Sequence, residues 1–265
     1  MLLWLFSFAG VIASVCAGIA SDVRDGRLIL LVLGVWLGTV VGLCVLYLLV
    51  LWIASFFVGK KDPEPDDHPF ARRIVVLTIE AICSVARAKI RVSGAEQIPE
   101  GRFLLVSNHR SNFDPLVTLV AFKHHDMAFV SKKSNFTIPI AGRFVRYCNF
   151  LSIDRENPRN AIRTINTAAD YLKRDVVSVG IYPEGTRNPK DTMLPFHDGV
   201  MMIAQKAGVP IVVVTVKDTE KIAKNFPLHS TEVPVRVVGV ISAERVKESR
   251  TAELSAEARK MMENA

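Results

Sequence analysis

The stretch Asn108-His109-Arg110-Ser111-Asn112-Phe113-Asp114-Pro115 decides how the rest of the chain is read. It follows the apolar run Phe103-Leu104-Leu105-Val106 and precedes Leu116 to Phe122, so it joins a strand-like segment to a helix-like one. His109 and Asp114 lie five positions apart. On a regular helix that step turns about 500° and leaves the side chains roughly 140° apart, so both can face one substrate only from a turn. Asp114-Pro115 supports the turn, since aspartate at an N-cap and proline in the first helical position open helices. On spacing alone Asp114 has two readings, a helix cap worth about 1 kcal/mol or the partner of a chemically active histidine.

Working outward, strand and helix patterns alternate. Strands are predicted over 103–107, 128–131, 150–153, 176–182, 210–216 and 235–241, and helices over 115–122, 158–174, 200–207 and 252–262. The alternation predicts an α/β fold with a mainly parallel sheet flanked by helices, its site built by loops at strand C-terminal ends. The stretch 243–265 reads as a charged amphipathic, solvated surface element.

Half of the 265 residues are hydrophobic, and the excess lies in residues 1–58. Leu2 to Ala20 carries no charge, and Leu28 to Val58 is an uncharged run of 31 residues. As a helix the second run is about 46 Å long, enough to cross a hydrocarbon core of roughly 30 Å. Cys16-Ala17-Gly18-Ile19-Ala20 offers small residues that could end a signal peptide, yet no Lys or Arg precedes the apolar run. The reading is an N-terminal membrane-anchoring region of one or two transmembrane helices, two being favoured, joined by Ser21 to Arg27. Lys60, Lys61, Arg72 and Arg73 place the following domain on the cytoplasmic face of the cell membrane, against Arg24 and Arg27 in the opposite loop. Residues 59–69, where Pro63, Pro65 and Pro69 alternate with Glu64, Asp66 and Asp67, form a linker. Residues 70–88 return to helical spacing and suit either a core helix or an interfacial amphipathic helix at the start of a domain spanning 70–265.

The net charge of +7 suits nucleic acid or an anionic membrane. With membrane spans present, membrane lipid is the simpler partner and no nucleic acid is expected. The four cysteines show no C-x-x-C spacing, and His124-His125-Asp126 has no accompanying ligand cluster, so neither disulfide framework nor metal is expected. No P-loop or dinucleotide fingerprint is present.

A second element, Tyr182-Pro183-Glu184-Gly185-Thr186-Arg187, also follows a predicted strand; alone it reads as a charged surface turn. Together, the H-x4-D of His109 and Asp114 and the E-G-T-R of 184–187 resemble the glycerolipid acyltransferase family, in the family's order. Lys132, Pro139 and Gly142 match its K-x-x-L-x-x-x-P-x-x-G block, with Asn135 in place of leucine, and Ile153-Asp154-Arg155 matches another. Phe196-His197-Asp198-Gly199 departs from F-K-x-G, and after Gly208-Val209-Pro210-Ile211 a valine, Val213, replaces a second proline. The resemblance covers roughly residues 90 to 217.

The resemblance implies a glycerol-3-phosphate acyltransferase-like fold and a site in which each residue has a chemical reason. Attack of an alcohol on a thioester requires a base, and histidine, with an ordinary pKa near neutrality, suits that role at His109. Asp114 then holds the imidazole tautomer and stabilises the imidazolium. Ser107 and Ser111 lack a G-x-S-x-G elbow and are set aside as nucleophiles. Arg187 and Arg155, as planar bidentate cations, suit the acceptor's phosphate, with Lys132 as a third charge. Glu184 holds Arg187 or a backbone amide, Gly185 allows a tight turn, and Thr186 completes the substrate-binding set. The implied reaction moves a fatty acyl group from acyl-CoA or acyl-carrier protein to the sn-2 hydroxyl of lysophosphatidic acid, giving phosphatidic acid, with no cofactor and no metal. Two alternatives stand beside it: acylation of glycerol 3-phosphate or another lysolipid, and a catalytically silent lipid-binding module.

Overall fold

A computed structural model describes residues 2–58, 68–154, 157–190 and 192–265, and the chain falls into two units, Met1–Lys60 and Lys61–Ala265. In the first, helix α1 (Leu2–Ala20) runs back along α2 (Arg27–Phe57). Gly10 is what lets them approach: a Cβ there would stand 2.9 Å from a ring carbon of Trp36. Ser14 bridges the pair, its hydroxyl donating to the carbonyls of Gly10 (2.7 Å) and Val32 (3.0 Å). Trp4, Phe8, Leu30, Leu37 and Phe57 stay exposed on the outside. Both helices are long and apolar enough to cross a membrane by length and composition.

The second unit begins with α3 (Pro69–Val85). The predicted linker 59–69 falls outside the described residues over 59–67, and Pro69 already belongs to the helix, in the first turn where its missing N–H costs nothing. The predicted helix 70–88 overran: Arg87 takes a φ of 55°, a left-handed conformation through which a helix cannot propagate, and Ala88 opens a strand. Ala71, Arg72, Val75, Ile79 and Cys83 form the buried stripe of α3, whereas Phe70, Ile82 and Val85 are exposed. Burial, aided by the charge of Glu80, pushes the Cys83 thiol up to about 11, and all four cysteines are free.

Among the described residues the sheet has seven strands, β1 (Ala88–Ser93), β2 (Leu104–Ser107), β3 (Met127–Lys132), β4 (Leu151–Ile153), β5 (Ser178–Ile181), β6 (Ile211–Val216) and β7 (Thr231–Ile241). Their order is β1-β7-β6-β2-β5-β3-β4. From β6 to β4 every pairing is parallel, and only β7 runs antiparallel to β6. The fully buried run Ile211-Val212-Val213-Val214 reflects a parallel core covered on both faces. The covering helices are α4 (Asp114–Ala121), α5 (Ala141–Tyr147), α6 (Pro158–Lys173), α7 (Met202–Ala207), the short α8 (Ile222–Asn225), α9 (Ala243–Glu248) and α10 (Thr251–Glu263).

Strand β1 was missed because Lys89 and Arg91 interrupt its apolar pattern at a sheet edge. The first turn of the predicted helix 200–207 is instead a 3-10 turn, Asp198–Met201. The stretch 243–265 is not a solvated surface element. It is two helices separated at Ser249–Arg250, and Val246, Leu254, Ala258 and Met262 are buried in the core that also holds Leu104, Val106, Ile211 and Val213.

Candidate active site

Parallel order places the chemistry. The C-terminal ends of β2, β5, β3 and β4 stand side by side at one end of the sheet, with neighbouring strands about 4.8 Å apart. They deliver, in that spatial order, the His109 loop, the Tyr182–Arg187 loop, Lys132 and Asp154, although these follow one another differently in the sequence.

Phe113 caps α4 and Asp114 is its first residue, so the helix begins one position earlier than predicted. Its fully buried carboxylate is shared unequally. Oδ2 lies 2.7 Å from His109 Nδ1 and accepts from the backbone N–H groups of Arg110 (2.6 Å) and Ser111 (2.8 Å). Oδ1 accepts from the hydroxyl of Thr219, a buried residue 105 positions downstream. A carboxylate can only accept here, so the imidazole proton sits on Nδ1 and the lone pair on Nε2. Among the described residues nothing hydrogen-bonds to Nε2. The ring stacks on Tyr182 at 4.4 Å between centroids and 21° between planes. Burial, and then the negative charge of Asp114, hold the Tyr182 phenol well above the usual tyrosine value, so it stays neutral.

The second loop is stitched to the first through the backbone of His109. Glu184 Oε1 accepts from His109 N at 2.7 Å, and His109 O accepts from Asn188 N at 2.7 Å. The other oxygen of Glu184 accepts from Leu194 N at 2.9 Å, so this buried carboxylate holds backbone amides and not Arg187. Arg187 is exposed and donates to Asn112 Oδ1 at 2.8 Å, which lays its guanidinium across the H-x4-D loop. Gly185 has a φ of 68°, and a Cβ on it would stand 2.8 Å from the ring of His197, so glycine is required twice over. Thr186 is exposed beside it.

Lys132 is exposed at the end of β3, one strand beyond the Tyr182 loop, and Arg155 lies outside the described residues. The structure thus brings together His109, Asp114, Glu184, Gly185 and Arg187, with Thr186 beside them and Lys132 on the flank. Sequence reading missed Thr219, Asn112 and the stacking role of Tyr182. Tyr182 had a signal, since an aromatic residue stands two positions before Glu184 at the end of the predicted strand; an isolated threonine 105 residues beyond Asp114 had none. Arg110 points away from His109, paired with Glu220 at 2.9 Å, and the Arg110 guanidinium holds the Glu220 carboxyl below the usual range against the cost of burial.

Residues 89–217 match the family described as Acyltransferase. The chain is 32% identical over 163 residues to the 1-acyl-sn-glycerol-3-phosphate acyltransferase of Escherichia coli, covering 62% of this chain and 66% of that protein, just under two thirds of its length. It is 28% identical over 206 residues to the 1-acyl-sn-glycerol-3-phosphate acyltransferase alpha of Ovis aries, covering 77% and 69%. The crystal structure of the 1-acyl-sn-glycerophosphate (LPA) acyltransferase PlsC from Thermotoga maritima superposes with a TM-score of 0.62 at 25% identity, over 83% of this chain and 86% of that one. The paired loops at the strand ends and these matches agree, and residues 89–217, just under half of the chain, match the acyltransferase family.

Proposed function

We propose that the chain transfers a fatty acyl group from a thioester donor, acyl-CoA or acyl-carrier protein, to the sn-2 hydroxyl of lysophosphatidic acid, at the cytoplasmic face of the cell membrane. The observation that carries this reading is the 2.7 Å contact of His109 Nδ1 with buried Asp114, which leaves Nε2 directed by nothing else in the described residues. In this mechanism Nε2 takes the hydroxyl proton as the oxygen attacks the thioester carbonyl carbon. The tetrahedral intermediate collapses with cleavage of the carbon–sulfur bond, and the departing sulfur takes the proton back from the imidazolium. Asp114 stabilises the imidazolium meanwhile, and Tyr182 limits the tilt of the ring.

Arg187, fastened to Asn112 of the catalytic loop, holds the acceptor's phosphate at a fixed distance from His109, with Lys132 and Arg155 as further cations. Glu184 acts through the backbone of His109 and Gly185 through the turn. The chemistry needs no cofactor beyond the donor and no metal. The similarity to named acyltransferases of lysophosphatidic acid supports this acceptor, and α1 and α2 give the chain an anchor where both acceptor and product reside.

The test is transfer of labelled acyl groups from either donor to lysophosphatidic acid and to glycerol 3-phosphate, in detergent or liposomes. The wild type should acylate lysophosphatidic acid, and His109→Ala should lose at least about a hundredfold in kcat. An alanine variant as active as wild type makes His109 structural. A wild type that binds lysophosphatidic acid but turns over neither acceptor is a lipid-binding module.

A further inference from the structure

Because β7 runs antiparallel to β6, its N-terminal end lies at the same end of the sheet as the His109 loop, and β1, parallel to β7, starts there too. The C-terminal end of α3 and the connection from α8 to β7 therefore border the catalytic end. Both carry apolar side chains that stay exposed among the described residues: Ile82 and Val85 on α3, Phe226 and Leu228 in the connection, Leu228 being 77% exposed. The two are fastened to each other. Arg87 O accepts from Thr231 N at 3.0 Å, and the Arg87 guanidinium donates to Pro227 O at 3.5 Å. The Phe226-Pro227-Leu228 tip is held in shape by its own bonds, Phe226 N to Ile222 O (3.1 Å), His229 N to Asn225 O (2.8 Å) and Asn225 Nδ2 to Thr231 Oγ1 (2.8 Å), over fully buried Ile222. A folded loop that holds a Phe and a Leu in water contradicts the ordinary economy of surfaces unless something apolar receives them.

The charges around it say what. Arg87, Lys89 and Lys224 are exposed and carry no ion pair among the described residues, whereas the carboxylates nearby are engaged: Asp218 with Lys221 at 2.7 Å, Glu220 with Arg110, Glu80 with Lys123 at 2.8 Å, Glu232 with Arg91 at 3.7 Å. An apolar tip ringed by unpaired cations fits acyl chains below anionic headgroups. We propose that the Phe226-Pro227-Leu228 tip, with Ile82 and Val85 of α3, inserts into an anionic bilayer and seats the catalytic end on the surface from which the acceptor is drawn. This contact is separate from the N-terminal helices, and its kinetic consequence rests on the acyl-transfer reading above.

Two measurements on the full-length protein test it. In Leu228→Trp, emission additional to that of the wild type should be quenched by brominated lipid in vesicles of phosphatidylglycerol, and much less in phosphatidylcholine or at high salt. Emission that stays water-exposed with every vesicle overturns the proposal, as does emission that responds only to added acidic acyl-carrier protein, which makes the face a protein-docking site. This measurement does not depend on turnover, so it stands or falls apart from the assigned reaction. In the Phe226→Ser/Leu228→Ser variant, kcat/KM for long-chain lysophosphatidic acid in anionic vesicles should fall about tenfold or more, while that for a short-chain, monomeric acceptor in solution is unchanged. Equal losses on both acceptors, or none on either, overturn it.

Discussion

Two loops at the end of the sheet that carries the proposed site, 108–114 and 182–188, each bury a carboxylate, and the two carboxylates differ in the kind of donor they face. Glu184 takes a backbone N–H on each oxygen, from His109 and from Leu194. Asp114 takes two backbone N–H groups and the imidazole on one oxygen, and a hydroxyl on the other. A hydroxyl can donate or accept, whereas a backbone N–H can only donate. The difference teaches that burial alone does not mark a functional carboxylate; what matters is whether its bonds end on atoms that hold the chain or on an atom that can react.

Replacing each carboxylate by its amide breaks the comparison at its strongest point. In Asp114→Asn the amide oxygen can keep the two backbone donors and the imidazole, while the new NH2 donates to Thr219. The fold should survive with a melting temperature close to wild type, and kcat should fall by about 10² to 10⁴ because the charge that stabilises the imidazolium is gone. In Glu184→Gln the NH2 must face a backbone N–H whichever way it turns. One buried amide is left unsatisfied, costing about 1–3 kcal/mol, or several degrees at roughly 2–4 °C per kcal/mol. Thermal unfolding and single-turnover rates on both variants decide the matter: an unfolded Asp114→Asn or an undisturbed Glu184→Gln removes the distinction.

Thr219 sharpens it on a smaller scale. Its hydroxyl touches no reacting atom and acts only by holding Asp114, so Thr219→Val should lower kcat about tenfold, the equivalent of roughly 1.4 kcal/mol, without moving KM for either substrate. Thr219→Ser should restore the rate. A valine variant that raises KM equally, or a serine variant that does not recover, would make Thr219 a packing residue of the loop after β6.

How far these loops were readable in the sequence follows from the range of their interactions. His109 and Asp114 are local to one turn, and residues 184–187 form one short run, so chemistry-bearing residue types at fixed spacing announced them. Strands β2 and β6 were legible because burial on both faces leaves continuous apolar runs, whereas β1 at the edge carries alternating cations and was not. Thr219 became part of the site only because β6 pairs with β2, a nonlocal fact that no local pattern records. The C-terminal stretch misled for a related reason: Leu254, Ala258 and Met262 recur every four residues amid charges, and such a narrow stripe looks solvated until the core it meets is known.

The smallest effect comes from carrying the comparison to the other end of the sheet. His125 precedes β3 and so lies at the end of the sheet opposite the proposed site, and its ring meets not a carboxylate but Phe103, at 5.6 Å, and Phe122, at 6.1 Å. Burial, then the charge of neighbouring His124, lowers its pKa from the usual 6.5, with Asp126 pulling the other way. A histidine harder to protonate in the folded state than in the unfolded one gives the unfolded chain more bound protons as pH falls, so stability declines below about pH 6.5 and is unaffected well above it. His125→Phe, which extends the aromatic contact and cannot titrate, should flatten that decline between about pH 6.5 and 5 and match the wild-type slope at pH 8, as read from melting temperatures across the range. Equal slopes for the two proteins in the acid range would mean that the ring is already solvated enough to titrate freely. Tight packing against an apolar neighbour would then not separate it from an ordinary surface histidine, and the contrast with His109 would rest on the carboxylate alone.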